Sequence, residues 1–149
     1  MKRLIASVLS LSVGATQAQM SLACQYKPSV GYEWKDGNWQ SYRDQMRSIK
    51  RDPFFLLIQQ DNKIDSRSAL VAMGIMPDIA SMFLASITCF THQSTTVALS
   101  SSCATLFGDY IIVSLETFEG ALSSVLGSAM DKRANRHNIY VMPFDCKKM

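Results

Sequence analysis

Cys24, Cys89, Cys103 and Cys146 are the residues whose type and number most constrain the chemistry of this chain. An even number of cysteines in a small secreted chain predicts disulfide bonds. Zinc binding is not indicated, because no Cys-x-x-Cys pair occurs and neither histidine has a ligand-like spacing to a cysteine. Four cysteines allow three pairings. We favour Cys89 with Cys103, which are close in sequence, and Cys24 with Cys146, which would join the two ends of the domain.

Hydroxyl, imidazole and carboxylate side chains occur without the spacing that catalysis requires. Ser100–Ser102 lies outside any Gly-x-Ser-x-Gly sequence, so no nucleophile elbow is predicted. His92 or His137 could join a Ser–His–Asp set with many acids, but such a set is defined by geometry rather than by composition. Glu116 and Glu119 are typical of solvated acids in a turn rather than of a glycosidase pair across a cleft. We therefore predict no catalytic residue, no metal site and no cofactor.

Trp34 and Trp39 form the one feature of the sequence that could recognise a ligand. Asp36-Gly37 joins two strand-like segments, Gly31–Lys35 and Asn38–Tyr42, and predicts a two-residue type I′ hairpin. In that register Trp34 faces Trp39 at a non-hydrogen-bonded pair, where side chains approach most closely. Two adjacent indole rings could serve as a binding platform for a sugar or a protein. We favour hairpin stabilisation instead, with at least one ring partly buried.

The elements that must position these residues are mostly short strands. Asp65 can begin one short helix and Gly74 can end it, and a second helical turn can follow Pro77. Gly108, Gly120 and Gly127 mark turn-like intervals. Besides the hairpin, β-branched, aromatic and alternating apolar residues predict strands at 22–27, 53–60, 86–92, 95–98, 109–115 and 138–146. We expect a mainly β fold class, a small antiparallel sandwich or barrel with one short helix, stapled by two disulfides.

For two of the predicted strands, the sequence also predicts the burial or the position in the sheet. The apolar run 53–60 predicts a strand that is buried on both faces for most of its length. In the strand 138–146, Pro143 lacks an amide hydrogen, so an edge position or a bulge is expected. One face of that strand is expected to carry alternate residues: Tyr140, Met142, Phe144 and Cys146.

Residues 1–18 predict a cleavable secretory signal peptide. Two basic residues precede an apolar run of about ten residues, and a small-x-small cleavage site ends at Ala18. The run is shorter than the roughly 20 residues that span a bilayer, and the segment 68–90 is interrupted by a Pro-Asp pair. A second small-x-small site precedes Cys24, but lipid modification there is disfavoured because Cys24 lies far from the apolar run. Residues 19–149 are then expected to form one domain in the periplasm or outside the cell.

The balance of charge disfavours some classes of partner. The formal net charge is +3, and loss of the two basic residues of the signal peptide would leave +1. This charge is too balanced to indicate nucleic acid as a partner. A basic lysozyme is also disfavoured as a target, because it would attract an acidic partner. The expected partner is an unidentified protein or glycan.

Four short motifs give the chain a characteristic layout. They are Cys24-x-Tyr26, Gly31-x-x-Trp34-x-x-Gly37-x-Trp39, Pro53-Phe54-Phe55-Leu56 and Phe144-x-Cys146-x-Lys148. The layout resembles that of small secreted proteobacterial proteins of uncharacterised function. The resemblance spans most of residues 19–149, and it implies export without implying an activity.

Two functional hypotheses from different classes follow from these features. The first is a non-enzymatic binding module of the cell envelope, an inhibitor or immunity-type interaction protein, by analogy with other small disulfide-stapled β domains. The alternative is a small hydrolase acting on envelope material. A deep polar cleft that converges on His92 or His137 would support the alternative, whereas a filled core would support the binding module.

Overall fold

Antiparallel strands form most of the structure, a computed structural model that describes residues 20–35, 37–43, 52–96, 98–124 and 138–149. The predicted signal peptide, residues 1–18, lies outside the described residues. The strands are β1 (Met20–Tyr26), β2 (Val30–Lys35), β3 (Asn38–Arg43), β4 (Phe54–Ile58), β5 (Ile87–His92), β6 (Ser100–Thr105), β7 (Asp109–Ser114), β8 (Glu119–Ser124) and β9 (Asn138–Lys148). The helix α1 (Ser66–Ala72) and a 3-10 helix (Ala80–Ser86) lie between β4 and β5. The predicted mainly β, antiparallel fold class is confirmed, and so is the helical turn after Pro77.

The nine strands form one continuous sheet organised around β9. On one side, the first half of β9 pairs with β2 and the second half pairs with β1. On the other side, the order continues through β8, β7 and β6 to β5, while β3 and β4 lie outside β2 and β1. Among the described strands, β3, β4 and β5 therefore each pair with a single strand.

A bulge separates β1 from β2 along their common neighbour. Tyr26 pairs with Phe144, and Val30 pairs with Val141. Three residues between Tyr26 and Val30 thus face two residues of β9, which is the arrangement of a β-bulge. β1 and β2 are in effect one long strand with an extra residue at its middle.

Pro143 lies opposite this bulge. The Lys27 amide donates to the Pro143 carbonyl over 2.8 Å. The amide and carbonyl of one residue point to the same side of a strand, so the nitrogen of Pro143 also faces the bulge. The bulge interrupts the regular pairing at the position where proline has no hydrogen to donate. The Lys27 ammonium pairs with the Asp145 carboxylate at 2.7 Å, and this bond raises the pKa of Lys27. The bulge lies on the neighbouring strand rather than on β9. The expected edge position is wrong, because β9 has neighbours on both sides.

One face of the sheet is buried beneath the two helices. Alternate residues of β9 turn inward as predicted, with Met142, Phe144 and Cys146 buried. α1 adds Leu70 to the same core and contacts both β4 and β5. Because β4 and β5 are edge strands on opposite sides of the sheet, the sheet curls around α1. The largest buried side chains of the strands are Leu22, Leu56, Ile58, Ile111, Val113, Leu122 and Phe144.

Gly120 lies inside β8, where the sequence suggested a turn. It pairs with Phe144 across to β9. A Cβ atom at this position would overlap the Phe144 ring and the Ile112 carbonyl oxygen. Gly120 is therefore a strand residue whose missing side chain makes room for an aromatic ring. Gly108, by contrast, has φ of 82° and lies in the turn between β6 and β7, as expected.

The strand that was expected at 95–98 is not formed by Thr95 and Thr96, and the serine-rich strand β6 begins later, at Ser100. Thr95 and Thr96 form a bend instead. Ser101 is fully buried, and its hydroxyl accepts from the Ile64 amide over 2.8 Å and donates to the Phe90 carbonyl over 3.3 Å. With both bonding functions satisfied, a serine can occupy a core position that sequence patterns reserve for apolar residues.

Both predicted disulfides are present, Cys24–Cys146 and Cys89–Cys103. Each bond joins residues that face one another directly on paired strands. The sulfur of Cys24 is thus occupied, and lipid modification of this residue is excluded in the oxidised protein.

The predicted hairpin is confirmed at the level of the backbone. Trp34 pairs with Trp39 and Lys35 pairs with Asn38. Gly37 has φ of 82°, in the left-handed region that a type I′ turn requires. The side chains of the two tryptophans lie outside what the structure describes.

Substitution of Gly37 tests how strongly this turn specifies the fold. Apart from its two chain neighbours, no described residue has an atom within 4 Å of a Cβ built on Gly37, so a substitution meets backbone strain rather than a clash. Gly37→Val is expected to lower the free energy of unfolding by about 1–2 kcal/mol in guanidinium denaturation of the oxidised protein. Gly37→Asn is the matched control, because asparagine tolerates positive φ, and its loss should be clearly smaller. Equal losses for the two variants would contradict the explanation.

Candidate functional site

β4 departs from its expected environment, and it forms one wall of a groove. Phe55 is 53% exposed and Leu57 is 37% exposed, whereas Phe54, Leu56 and Ile58 are buried. The expectation that this strand is buried on both faces is therefore wrong. The sheet has one covered face, and β4 pairs only with β1 among the described strands. Its outer face and outer edge are consequently not covered by another described strand.

α1 forms the opposite wall, and it begins and ends where the sequence predicts. The Asp65 carboxylate accepts from the Ser68 amide over 2.9 Å, and Gly74 follows the last turn with φ of 99°. Two hydrogen bonds join the start of the helix to β4. The Leu57 amide donates to the Ser68 hydroxyl over 3.2 Å, and the Asp65 amide donates to the Leu57 carbonyl over 2.7 Å.

β4 and α1 enclose a groove of about 670 Å³, and the junction residues Leu57, Asp65 and Ser68 belong to its lining. Tyr26 and Phe54 line it and stack on each other, with ring centroids 4.4 Å apart. The Tyr26 hydroxyl donates to the Ala72 carbonyl, which ties β1 to the end of α1. The Arg67 guanidinium donates to the Pro77 carbonyl over 3.0 Å. The apolar residues of the lining are Tyr26, Pro53, Phe54, Phe55, Leu57, Val71, Ala72 and Pro77.

The polar groups of the groove are mostly engaged in holding its walls. Asp65 caps α1, and the Ser68 hydroxyl donates to the Asp65 carbonyl over 2.8 Å. Arg67 is bonded to the Pro77 carbonyl. Asp52 is exposed and forms no ion pair with another residue in the described part of the chain. The lining is mostly apolar, and Asp52 adds an exposed carboxylate at the rim, which is typical of a binding groove.

His92 lies at the end of β5, and its ring meets a serine hydroxyl. Its Nε2 atom is 2.7 Å from the Ser102 hydroxyl oxygen. Ser102 is 1% exposed, so this hydroxyl is covered by its surroundings. The Glu116 carboxylate accepts from the Leu99 amide over 3.0 Å. His137 lies outside the described residues.

Metal binding finds no support within the described ranges. These residues contain no group of three or more His, Cys, Asp or Glu that could hold an ion. The four cysteines, which are the softest ligands of the chain, are consumed in the two disulfides.

The proposed tryptophan platform stays a prediction, since only its backbone register is described. Sequence reasoning missed the groove between β4 and α1, although a signal was present. The segment Pro53-Phe54-Phe55-Leu56-Leu57 holds more apolar residues than one covered face can bury. Alternate side chains of a strand point to opposite faces of its sheet, so the surplus, Phe55 and Leu57, falls on the uncovered face.

Neither helix within the described ranges has the length and apolar character needed to cross a membrane. Comparisons with known protein families, with curated proteins and with solved structures each give no match.

Proposed function

We propose that this protein is an exported, non-enzymatic binding module of the cell envelope, an interaction protein of the inhibitor or immunity type. Its partner binds in the groove between β4 and α1. The exposure of Phe55 and Leu57 beside this groove is the observation that carries the proposal. Large apolar side chains that are exposed singly need no explanation, whereas those that adjoin an apolar groove mark a binding site.

The groove is held in shape before any partner arrives. Leu57 is bonded to both Asp65 and Ser68, which fixes β4 against the start of α1. β1, the neighbour of β4, is bonded to β9 through Cys24–Cys146. A preformed site loses little conformational freedom on binding, so more of the interaction energy appears as affinity.

A small hydrolase acting on envelope material is the second candidate, and the hydrogen bond between His92 and Ser102 is the observation that favours it. The burial of Ser102 weighs against it, because a nucleophile must meet its substrate. Hydrolysis of envelope material that is lost in both His92→Ala and Ser102→Ala would support the hydrolase and contradict the binding module.

Affinity capture from an envelope extract, with the oxidised protein as bait, tests the proposed site. Phe55→Asp is expected to reduce recovery of a specific partner by at least about tenfold, because it places a charge in an apolar contact. Leu106→Asp is the matched control, since Leu106 is also a large exposed apolar residue but lies in the turn between β6 and β7. This control should retain the partner.

Two results would contradict the groove as the site. A partner that is retained by Phe55→Asp at the level of the unchanged protein binds elsewhere. If the same partner is lost in Trp39→Ala while the melting temperature is unchanged, the tryptophan hairpin is the binding platform instead.

A further inference from the structure

We propose that the groove receives an extended polypeptide segment of a partner protein, which adds to the outer edge of β4 as a further strand. This inference rests on the proposed function and specifies the chemistry of its site. The observations that support it are the amide and carbonyl groups of β4 that point away from β1, and the side chains that surround them.

Leu57 shows which backbone groups of β4 point away from β1. Its amide donates to the Ser68 hydroxyl and its carbonyl accepts from the Asp65 amide, both on the outer side. In an antiparallel pair, the amide and carbonyl of one residue point to one side, and those of the next residue point to the other. Phe55 lies two residues before Leu57, so its amide and carbonyl also point to the outer edge. No hydrogen bond joins them there to another described residue.

The open part of this edge is short and has a defined extent. At one end, the helix junction already occupies the backbone groups of Leu57. At the other end, Pro53 offers a carbonyl but no amide hydrogen. The edge thus presents three groups, the amide and carbonyl of Phe55 and the carbonyl of Pro53. Unpaired groups of this kind are the template for strand addition, and a segment of about five residues would cover them.

The side chains around this edge define what the segment carries. Side chains of an added strand alternate between the two faces of the sheet. The residue opposite Phe55 would lie beside that ring on the outer face. Its two neighbours would point into the groove, which Tyr26, Phe54 and Val71 line. The expected pattern is therefore two apolar residues that point into the groove, with a residue between them that packs on the Phe55 ring.

Charge favours a partner protein over a second copy of this chain. Asp52 is exposed at the Pro53 end of the edge and forms no ion pair with another described residue. A basic residue at that end of the segment would complement it. The β4 segment of a second copy offers no such residue, because Asp52 is the one charged residue of positions 52–58.

Amide hydrogen exchange in the free oxidised protein tests the edge itself. The Phe55 amide is expected to exchange rapidly, whereas the Leu56 amide, which points toward β1 and pairs with Leu22, is expected to exchange slowly. A protected Phe55 amide in the free monomer would overturn the proposal, because the edge would already be covered. Sedimentation that shows a dimer, lost in Phe55→Asp, would also overturn it by making a second copy the occupant.

Peptides selected from a random library on the immobilised oxidised protein test the mode of binding. Backbone N-methylation is then moved along the selected peptide, one residue at a time. We expect alternate positions to respond, with affinity falling at least about tenfold where the methyl group removes a bond to Phe55 and little at the next residue. The Phe55 amide should become protected in the complex.

The outcomes separate this inference from the proposed function. Peptides that are lost in Phe55→Asp but show no alternation on N-methylation would overturn strand addition while the groove stands as the site. Selected peptides that are unaffected by Phe55→Asp, or a failure to select any peptide, would count against both strand addition and the groove as the binding site. Alternation together with sensitivity to Phe55→Asp supports both of these claims.

Discussion

Replacement of both Cys24 and Cys146 by alanine is expected to lower the free energy of unfolding by about 5 kcal/mol. The two residues are 122 positions apart in the sequence. In the chain-entropy treatment, the constraint that a disulfide places on the unfolded chain grows with the logarithm of the loop it closes. Small domains have total stabilities of about 5–15 kcal/mol, so this double variant should lie near its unfolding threshold.

Replacement of Cys89 and Cys103 by alanine is the matched control for that experiment. These residues are 14 positions apart, and the expected loss is about 3 kcal/mol. Neither double variant leaves a free thiol, so guanidinium denaturation at low temperature compares them directly. A loss for Cys89 and Cys103 that equals or exceeds the loss for Cys24 and Cys146 would contradict the loop-length argument and place the effect in native packing.

The features that the sequence predicted correctly are those set by local chemistry. The Asp36-Gly37 pair determines the register of the hairpin, because a two-residue turn admits few alternatives. Asp65 and Gly74 bracket α1 for the same reason, since a cap acts within one turn of the helix. The Cys24–Cys146 pair is the exception, because it joins residues 122 positions apart; it was predicted from the position of the two cysteines at the ends of the domain.

The features that sequence reasoning missed depend on partners far away in the chain. Gly120 resembles a turn glycine until Phe144 is placed over it. Ser101 resembles a loop residue until the Ile64 amide and the Phe90 carbonyl satisfy its hydroxyl. A pattern of residue types carries no information about such partners, so β6 and β8 could not be assigned from it.

The groove was missed for a related reason. An apolar run such as 53–60 predicts burial on both faces only if the strand is central in a covered sheet. β4 is covered on one face only, which is a property of the whole fold that no residue within the run encodes. Phe55 is consequently the point at which the sequence prediction fails and at which the proposed site lies.

Phe144→Ala is expected to lower the free energy of unfolding by about 3–5 kcal/mol. The Phe144 ring is 1% exposed and meets the ring of Phe54 edge-on, with centroids 5.2 Å apart. It meets Tyr26 in the same way, with centroids 6.3 Å apart. Its removal would leave a cavity over Gly120, and a glycine cannot fill that cavity.

Phe55→Ala is the matched control, because the same side chain is removed from the same sheet at a half-exposed position. It is expected to lower the free energy of unfolding by less than about 1 kcal/mol when both variants are unfolded in urea. Phe55→Ala is nevertheless expected to weaken capture, and to do so in fully folded protein, because it removes an exposed wall of the groove. Comparable stability losses for the two variants would mean that Phe55 belongs to the core, and the groove would lose its exposed wall.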